Sequence, residues 1–192
     1  MDYRVSQFEG EPVKLEEVVD PSKNEFKKIL VNGTIKDDYE FFMPALSKNG
    51  NNGYHILVPL MLSEKKYIIY DRGWIPLEKR EKNKRTNESL NLTKEYIAVI
   101  RIPGRKGYFQ PKNDSEKNFW FFVEPSLMEK KVNLPLEKNF YLEAVESGSG
   151  GFPIGGQTRI YLRNNHLQYA LTWLMLAASL VGVFFFRNLK KK

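Results

Sequence analysis

The sequence predicts a mainly β protein: an antiparallel barrel- or sandwich-like soluble domain followed by one C-terminal transmembrane α-helix. Three observations carry this. Short runs rich in β-branched and aromatic residues recur between turn residues. Helical periodicity is weak ahead of residue 160. An uncharged stretch, Leu167 to Phe186, lies close to the C-terminus. With 192 residues, the chain has room for one ordinary domain with a real core, and too few for two comfortable ones.

The predicted strands are Phe26–Ile35, Tyr39–Met43, Tyr54–Leu62, Lys66–Ile75, Tyr96–Ile102, Phe119–Glu124, Phe140–Ser147 and Thr158–Leu162. Ser63-Glu64 reads as the turn of a hairpin joining the third run to the fourth. Short helical turns are expected near Val13–Val19 and over Pro125–Lys131. Eight short strands and few helices point to a closed or nearly closed sheet. Ser47–Gly53 is a polar turn, Glu78–Asn91 a charged solvated loop, and Gly148–Gly156 a glycine-rich turn or linker. The last is not a phosphate loop: it lacks a Gly-Lys-Ser/Thr ending, and a predicted strand follows it rather than a helix.

Leu167–Phe186 is 20 residues long, which as a helix covers ~30 Å, the thickness of a bilayer's hydrocarbon core. Tyr169 and Trp173 stand near its first end, where amphipathic rings settle at the interface, and Arg187 with the terminal lysines closes the other. A buried core helix is the competing reading, but cores rarely need such a run followed at once by a charge cluster. Ala178 and Gly182, four apart, would admit a second helix, or mark only a thin spot on a lipid-facing one. The division expected is therefore a soluble domain over 1–162, a membrane helix over 163–187 and a basic tail over 188–192. The positive-inside rule puts the tail on the cytoplasmic side and the domain opposite. Met1 to Gly10 contain no hydrophobic run to export that domain, so a membrane helix preceding Met1 is expected to be missing from this chain.

Composition narrows the function classes. Cysteine is absent, which excludes thiolate catalysis, disulfides and cysteine-ligated metals. Of the net +7, four positive charges sit in the last six residues, so the body is only mildly basic and no nucleic-acid partner is expected. There are two histidines, and no nucleophile–base pairing or metal-ligand cluster is visible, so no catalytic residue is assigned and the protein is not read as an enzyme. His55 has no acid nearby in sequence and reads as structural. Asp71, ahead of Arg72-Gly73-Trp74, is explained equally by a buried Asp–Arg pair that holds a turn and by catalysis. His166, Tyr169, Ala170 and Trp173 share one helix face at the expected membrane interface. That face fits an interfacial histidine in an aromatic belt, and it equally fits an axial ligand to a haem iron with the macrocycle against the rings.

Three stretches carry a resemblance to a known family. Gly53-Tyr54-His55 through Pro59, with Asp71-Arg72-Gly73-Trp74-Ile75-Pro76, looks like its "GYH…P" strand and "NRGWVP" motif, with Asp71 where Asn is usual. Phe152-Pro153-Ile154-Gly155-Gly156-Gln157-Thr158 is the second. Asn164-Asn165-His166-Leu167-Gln168-Tyr169-Ala170-Leu171-Thr172-Trp173 is similar to the signature at the entry to the family's second membrane helix. The chain thus resembles the surfeit locus protein 1 family over essentially its whole length. The long charged loop at Glu78–Asn91 and the lack of a first membrane helix are its departures.

The resemblance implies a membrane-anchored assembly factor for cytochrome c oxidase that assists insertion of haem a into the catalytic subunit. The alternative is a scaffold that grips oxidase subunits without haem. It implies His166 as the ligand to the haem iron, with Tyr169 and Trp173 beside the macrocycle. Arg163 and Arg159 would meet the propionates, or serve as ordinary interfacial anchors. Arg72, Gly73 and Trp74 would keep the soluble domain folded. The implied partners are the oxidase catalytic subunit and membrane lipid, and a homo-oligomer is compatible. The implied place is the bacterial inner membrane with the soluble domain in the periplasm, the mitochondrial inner membrane being the alternative.

Overall fold

A computed structural model describes residues 3–63, 66–85, 92–160 and 165–189. In chain order the elements are α1 (Tyr3–Glu9), β1 (Val13–Lys14), β2 (Lys28–Ile35), β3 (Phe41–Leu46), β4 (Asn52–Ser63), β5 (Lys66–Pro76), β6 (Lys94–Arg101), α2 (Pro125–Val132), β7 (Tyr141–Ala144) and α3 (His166–Leu189). Residues 1–160 form one compact unit and 161–192 a second.

Five strands close on themselves. β2 pairs with β6, β6 with β7, β7 with β5, β5 with β4, and β4 returns to β2. Closure leaves the barrel no open edge, the usual liability of an antiparallel sheet. β3 extends the ring along β4, and β1 adds a two-residue strand to β2. The predicted barrel is thus present, with one difference. It is not wholly antiparallel, because β5–β7 and β1–β2 run parallel. A parallel pair needs a long crossover, and for β5–β7 the chain between them, which contains β6 and α2, supplies it.

Alternation along each strand sorts the side chains. Ile29, Val31, Ile56, Val58, Leu60, Ile68, Tyr70, Ala98, Ile100 and Leu142 fill the barrel. Their neighbours Leu57, Ile69 and Tyr141 face outward and are covered by Met128 and Val132 of α2, with Phe41, Trp120 and Leu136. Met128 and Val132 are one helical turn apart, Pro125 occupies the first turn, and Asn133 (φ 53°) ends the helix in the left-handed region.

One irregularity sets the site. His55 pairs with Trp74 and Leu57 with Asp71, so Arg72 and Gly73 together oppose the single residue Ile56. This bulge inverts the alternation of β5. Tyr70 and Ile75 can therefore both lie in the barrel interior although they are an odd number of residues apart. Asp71 is left on the outer face, the face of Ile69 and Leu57.

Two predicted strands are not strands. Phe119–Glu124 makes only isolated bridges at Phe119. Its backbone is instead held by side-chain amides: Asn113 Oδ1 accepts from the Phe121 and Phe122 N–H groups, and Gln110 Nε2 donates to the Phe121 carbonyl. Such local bonds compete with a ladder. Thr158–Ile160 is likewise irregular, and Tyr161–Leu162 lie outside the described residues. Near Val13–Val19 the expected short helical turn is present as a 3-10 turn (Leu15–Glu17), preceded by the two-residue strand β1. β4 and β5 pair as the predicted hairpin requires, Ser63 opposite Lys66, while Glu64 of the predicted Ser63-Glu64 turn lies outside the described residues.

Trp120 is the largest fully buried side chain. It sits edge-on to Phe41 at 5.2 Å, and its Nε1 donates to Asn118 Oδ1 at 2.8 Å. Trp120→Ala removes the centre of the outer core and should cost about 3–5 kcal/mol, read by urea unfolding of the detergent-purified chain. A loss near zero would show that α2 does not depend on this packing.

Candidate functional site

The first and second sequence motifs, about 80 residues apart in the chain, meet on the barrel. Trp74 N–H donates to the Ile154 carbonyl at 2.9 Å, and Ile154 N–H returns a bond to the Trp74 carbonyl at 2.8 Å. Gly73 (φ +114°) lies under this bridge, where an added Cβ would stand 2.2 Å from the Ile154 carbonyl oxygen. Trp74 itself is 5% exposed, its Nε1 donating to the Ala45 carbonyl at 3.2 Å. Arg72 is also buried, beside Tyr70. Arg72 and Gly73 thus form a bulge that, with Trp74, is clasped by the Gly148–Gly156 turn.

The bulge presents Asp71 to His55. His55 Nδ1 lies 2.6 Å from Asp71 Oδ2, while Asp71 Oδ1 accepts the Gly73 N–H at 2.8 Å. Asp71 is 2% exposed. Its carboxylate therefore holds a histidine and the bulge. Burial, the largest influence on His55, pulls its pKa down, but the Asp71 carboxylate and the more distant Glu143 outweigh it and leave the pKa raised. The carboxylate thus favours the protonated imidazole.

Beside this pair on the same face, Glu143 of β7 gathers three donors. Arg101 Nη1 reaches Oε1 at 2.8 Å, Tyr141 OH the same oxygen at 3.2 Å, and Thr158 Oγ1 reaches Oε2 at 2.6 Å. Arg101 also bonds Glu25 at 3.2 Å and lies over the Phe26 ring. A cleft of about 440 Å³ opens among Ala45, Leu46, His55, Arg101, Gln157 and Arg159. The cluster is a satisfied ionic network: each buried charge has its counterion, as partial burial requires. Among the described residues no group of three or more His, Asp or Glu is placed to hold a metal.

In the second unit, α3 opens at His166 and runs to Leu189, and none of its residues is buried. It is the one described helix long and apolar enough to cross a membrane, with a mean hydropathy of 2.0. Tyr169 and Trp173 are 63% and 70% exposed. Helical geometry puts them one and two turns from His166 on one stripe. Arg163 lies outside the described residues. The sequence thus anticipated the helix. It missed the His55–Asp71–Glu143–Arg101 network, whose members come from four strands.

A closed β-barrel with an ionic cluster on its outer face, on a chain that also bears a helix able to span a bilayer, defines a membrane-attached, barrel-bearing protein. The comparisons narrow this. The chain matches the SURF1 family over residues 2–178. It is 30% identical over 148 residues to surfeit locus protein 1 of Takifugu rubripes, covering 76% of this chain and 60% of that protein. It is 26% identical over 203 residues to the human protein of the same name, covering 96% and 67%. A SURF1-like protein of Rickettsia bellii is 30% identical over 166 residues, covering 83% and 67%. The chain belongs to the SURF1 family. It spans about 60% of the length of the Takifugu relative.

Proposed function

We propose that this chain is a membrane-anchored assembly factor for cytochrome c oxidase that assists delivery of haem a to the catalytic subunit. Family membership supports the assembly role. The observation that carries the haem reading is the stripe of His166, Tyr169 and Trp173 at the start of α3, its two rings open to a partner or cargo. In this reading His166 offers a nitrogen to the iron, and Tyr169 and Trp173 stack against the macrocycle at the depth where interfacial aromatics lie. Arg163, three residues before His166 in sequence, is the cation offered to the propionates. A carrier must also release its cargo, which favours one protein ligand over a closed pair. The Lys-rich tail after Arg187 orients the barrel away from the cytoplasmic side by the positive-inside rule. That corresponds to the periplasm of a bacterium, the Rickettsia relative making a bacterial inner membrane a natural setting.

The test is the visible spectrum of the full-length protein, purified in detergent from cells that make haem a. His166→Ala should lose at least about 90% of the bound haem, while Tyr169→Ala and Trp173→Ala reduce it in part. If wild type and His166→Ala carry equal haem, His166 is not the ligand. If neither carries any, and oxidase subunits still co-purify, the protein is a scaffold that grips the oxidase without haem.

A further inference from the structure

The segment joining β6 to α2 carries a feature the barrel does not explain. Tyr108 and Phe109 are 92% and 94% exposed. They occupy the two central positions of a turn closed by the Gln110 N–H to the Gly107 carbonyl at 3.1 Å. The Gln110 side chain braces it, its Oε1 accepting the Gly107 N–H at 3.0 Å and its Nε2 donating to the Phe121 carbonyl at 2.8 Å. The two rings meet edge to face at 4.9 Å. Turn tips ordinarily carry Gly, Pro, Asn, Asp or Ser. Here a braced turn holds out two aromatic rings, each with roughly 150–250 Å² to bury.

The charge around them has one sign. Arg105, Lys106 and Lys112 flank the rings and are exposed, and no Asp or Glu occurs between Glu95 and Asp114. Aromatic rings ringed by cations match the bilayer interface, where rings settle at headgroup level and cations meet anionic headgroups. The chain's own helix α3 supplies the setting, since a domain tethered to a bilayer meets its surface at high effective concentration. We propose that the Gly107–Gln110 turn is a bilayer-docking tip: Tyr108 and Phe109 enter the headgroup–acyl boundary, and Arg105, Lys106 and Lys112 contact anionic lipid headgroups. The tip gives the barrel a second attachment besides α3. This inference is independent of haem.

The chain has no cysteine, so one introduced thiol can be labelled without background. Gly104 is the reporter position, because a Cβ there meets nothing within 4 Å. The full chain carrying Gly104→Cys and an environment-sensitive fluorophore is placed in nanodiscs of phosphatidylcholine, with or without phosphatidylglycerol, and probed with a lipid-borne quencher. Val19→Cys, at a fully exposed site elsewhere on the barrel, is the control. The expected result is quenching at Gly104→Cys and not at Val19→Cys, stronger with phosphatidylglycerol. Tyr108→Ser/Phe109→Ser should abolish it. Arg105→Gln/Lys106→Gln should lower the docked-to-free ratio on the anionic discs by about fivefold for each charge removed. An unquenched Gly104 label, or equal quenching at both sites, overturns the proposal. So does a label shielded only in native membranes and not in lipid alone, which would assign the tip to a protein. Quenching indifferent to both the anionic lipid and the double Gln variant overturns the headgroup contacts.

Discussion

Gly73→Ala should destabilise the barrel by about 4 kcal/mol, a large share of the roughly 5–15 kcal/mol that holds an ordinary domain folded. Two costs add. At φ +114° an alanine is strained by about 1–3 kcal/mol. The new methyl would also stand 2.2 Å from the Ile154 carbonyl oxygen and 2.9 Å from the Gly155 nitrogen. Those are backbone atoms, so no rotamer change relieves the contact. The Gly148–Gly156 turn would have to lift away, breaking the paired Trp74–Ile154 bonds at about 1 kcal/mol each. Gly151→Ala separates the two costs. Gly151 also has positive φ (81°), but an added Cβ there meets nothing within 4 Å. Urea unfolding of both variants in detergent should show Gly151→Ala losing only about 1 kcal/mol. Equal losses would show that backbone conformation, and not the clasp, makes glycine necessary at 73.

The same bulge marks the boundary of what the sequence makes legible. The pairing of β4 with β5 was readable because two strand-like runs, Ile56–Leu62 and Tyr67–Tyr70, lie close together on either side of the short polar stretch Ser63–Lys66. α3 was readable because one length, the bilayer's, sets it and no distant residue is needed. Ring closure through parallel β5–β7 was not, since it pairs strands 65 or more residues apart and local pattern says nothing of their direction. Phe119–Glu124 looked like a strand because strand-forming side chains dominate it. Its hydrogen-bond partners, Gln110 and Asn113, sit in a stretch to which the sequence pattern assigns no element. The ionic cluster left one usable signal. Asp71 and Arg72 interrupt an otherwise apolar run from Tyr67 to Pro76, and a charge at such a place needs a partner. For Asp71 that partner is His55, 16 residues earlier, diagonal to it across the hairpin. Reading the strand pairing first would have found it. The Glu143 group, drawn from β6, β7 and Thr158, gave no such clue.

Asp71→Ala should cost about 3–5 kcal/mol, as removal of one member of a buried pair does, because His55 and the Gly73 amide both lose their acceptor. Loss of stability alone would not separate an ion pair from a neutral hydrogen bond; pH does. The folded pKa of His55 is raised above its ordinary 6.5. Its contribution is therefore present in full below about pH 6.5 and lost as pH rises through the folded value, so urea stability of the wild type should decline through that window. Asp71→Asn keeps the size of the side chain and removes the charge. Burial, the largest remaining influence on His55, then acts against protonation, and the folded pKa falls below 6.5. The slope should invert: stability is now lost as pH falls through the lowered value. His55→Gln should flatten the dependence in either background, which assigns the titration to this histidine rather than to the carboxylates around it. A wild type whose stability is level from pH ~5.5 to ~8 would mean that folding leaves the His55 pKa where it stands in the unfolded chain, so that Asp71 no more than offsets the burial of the imidazole.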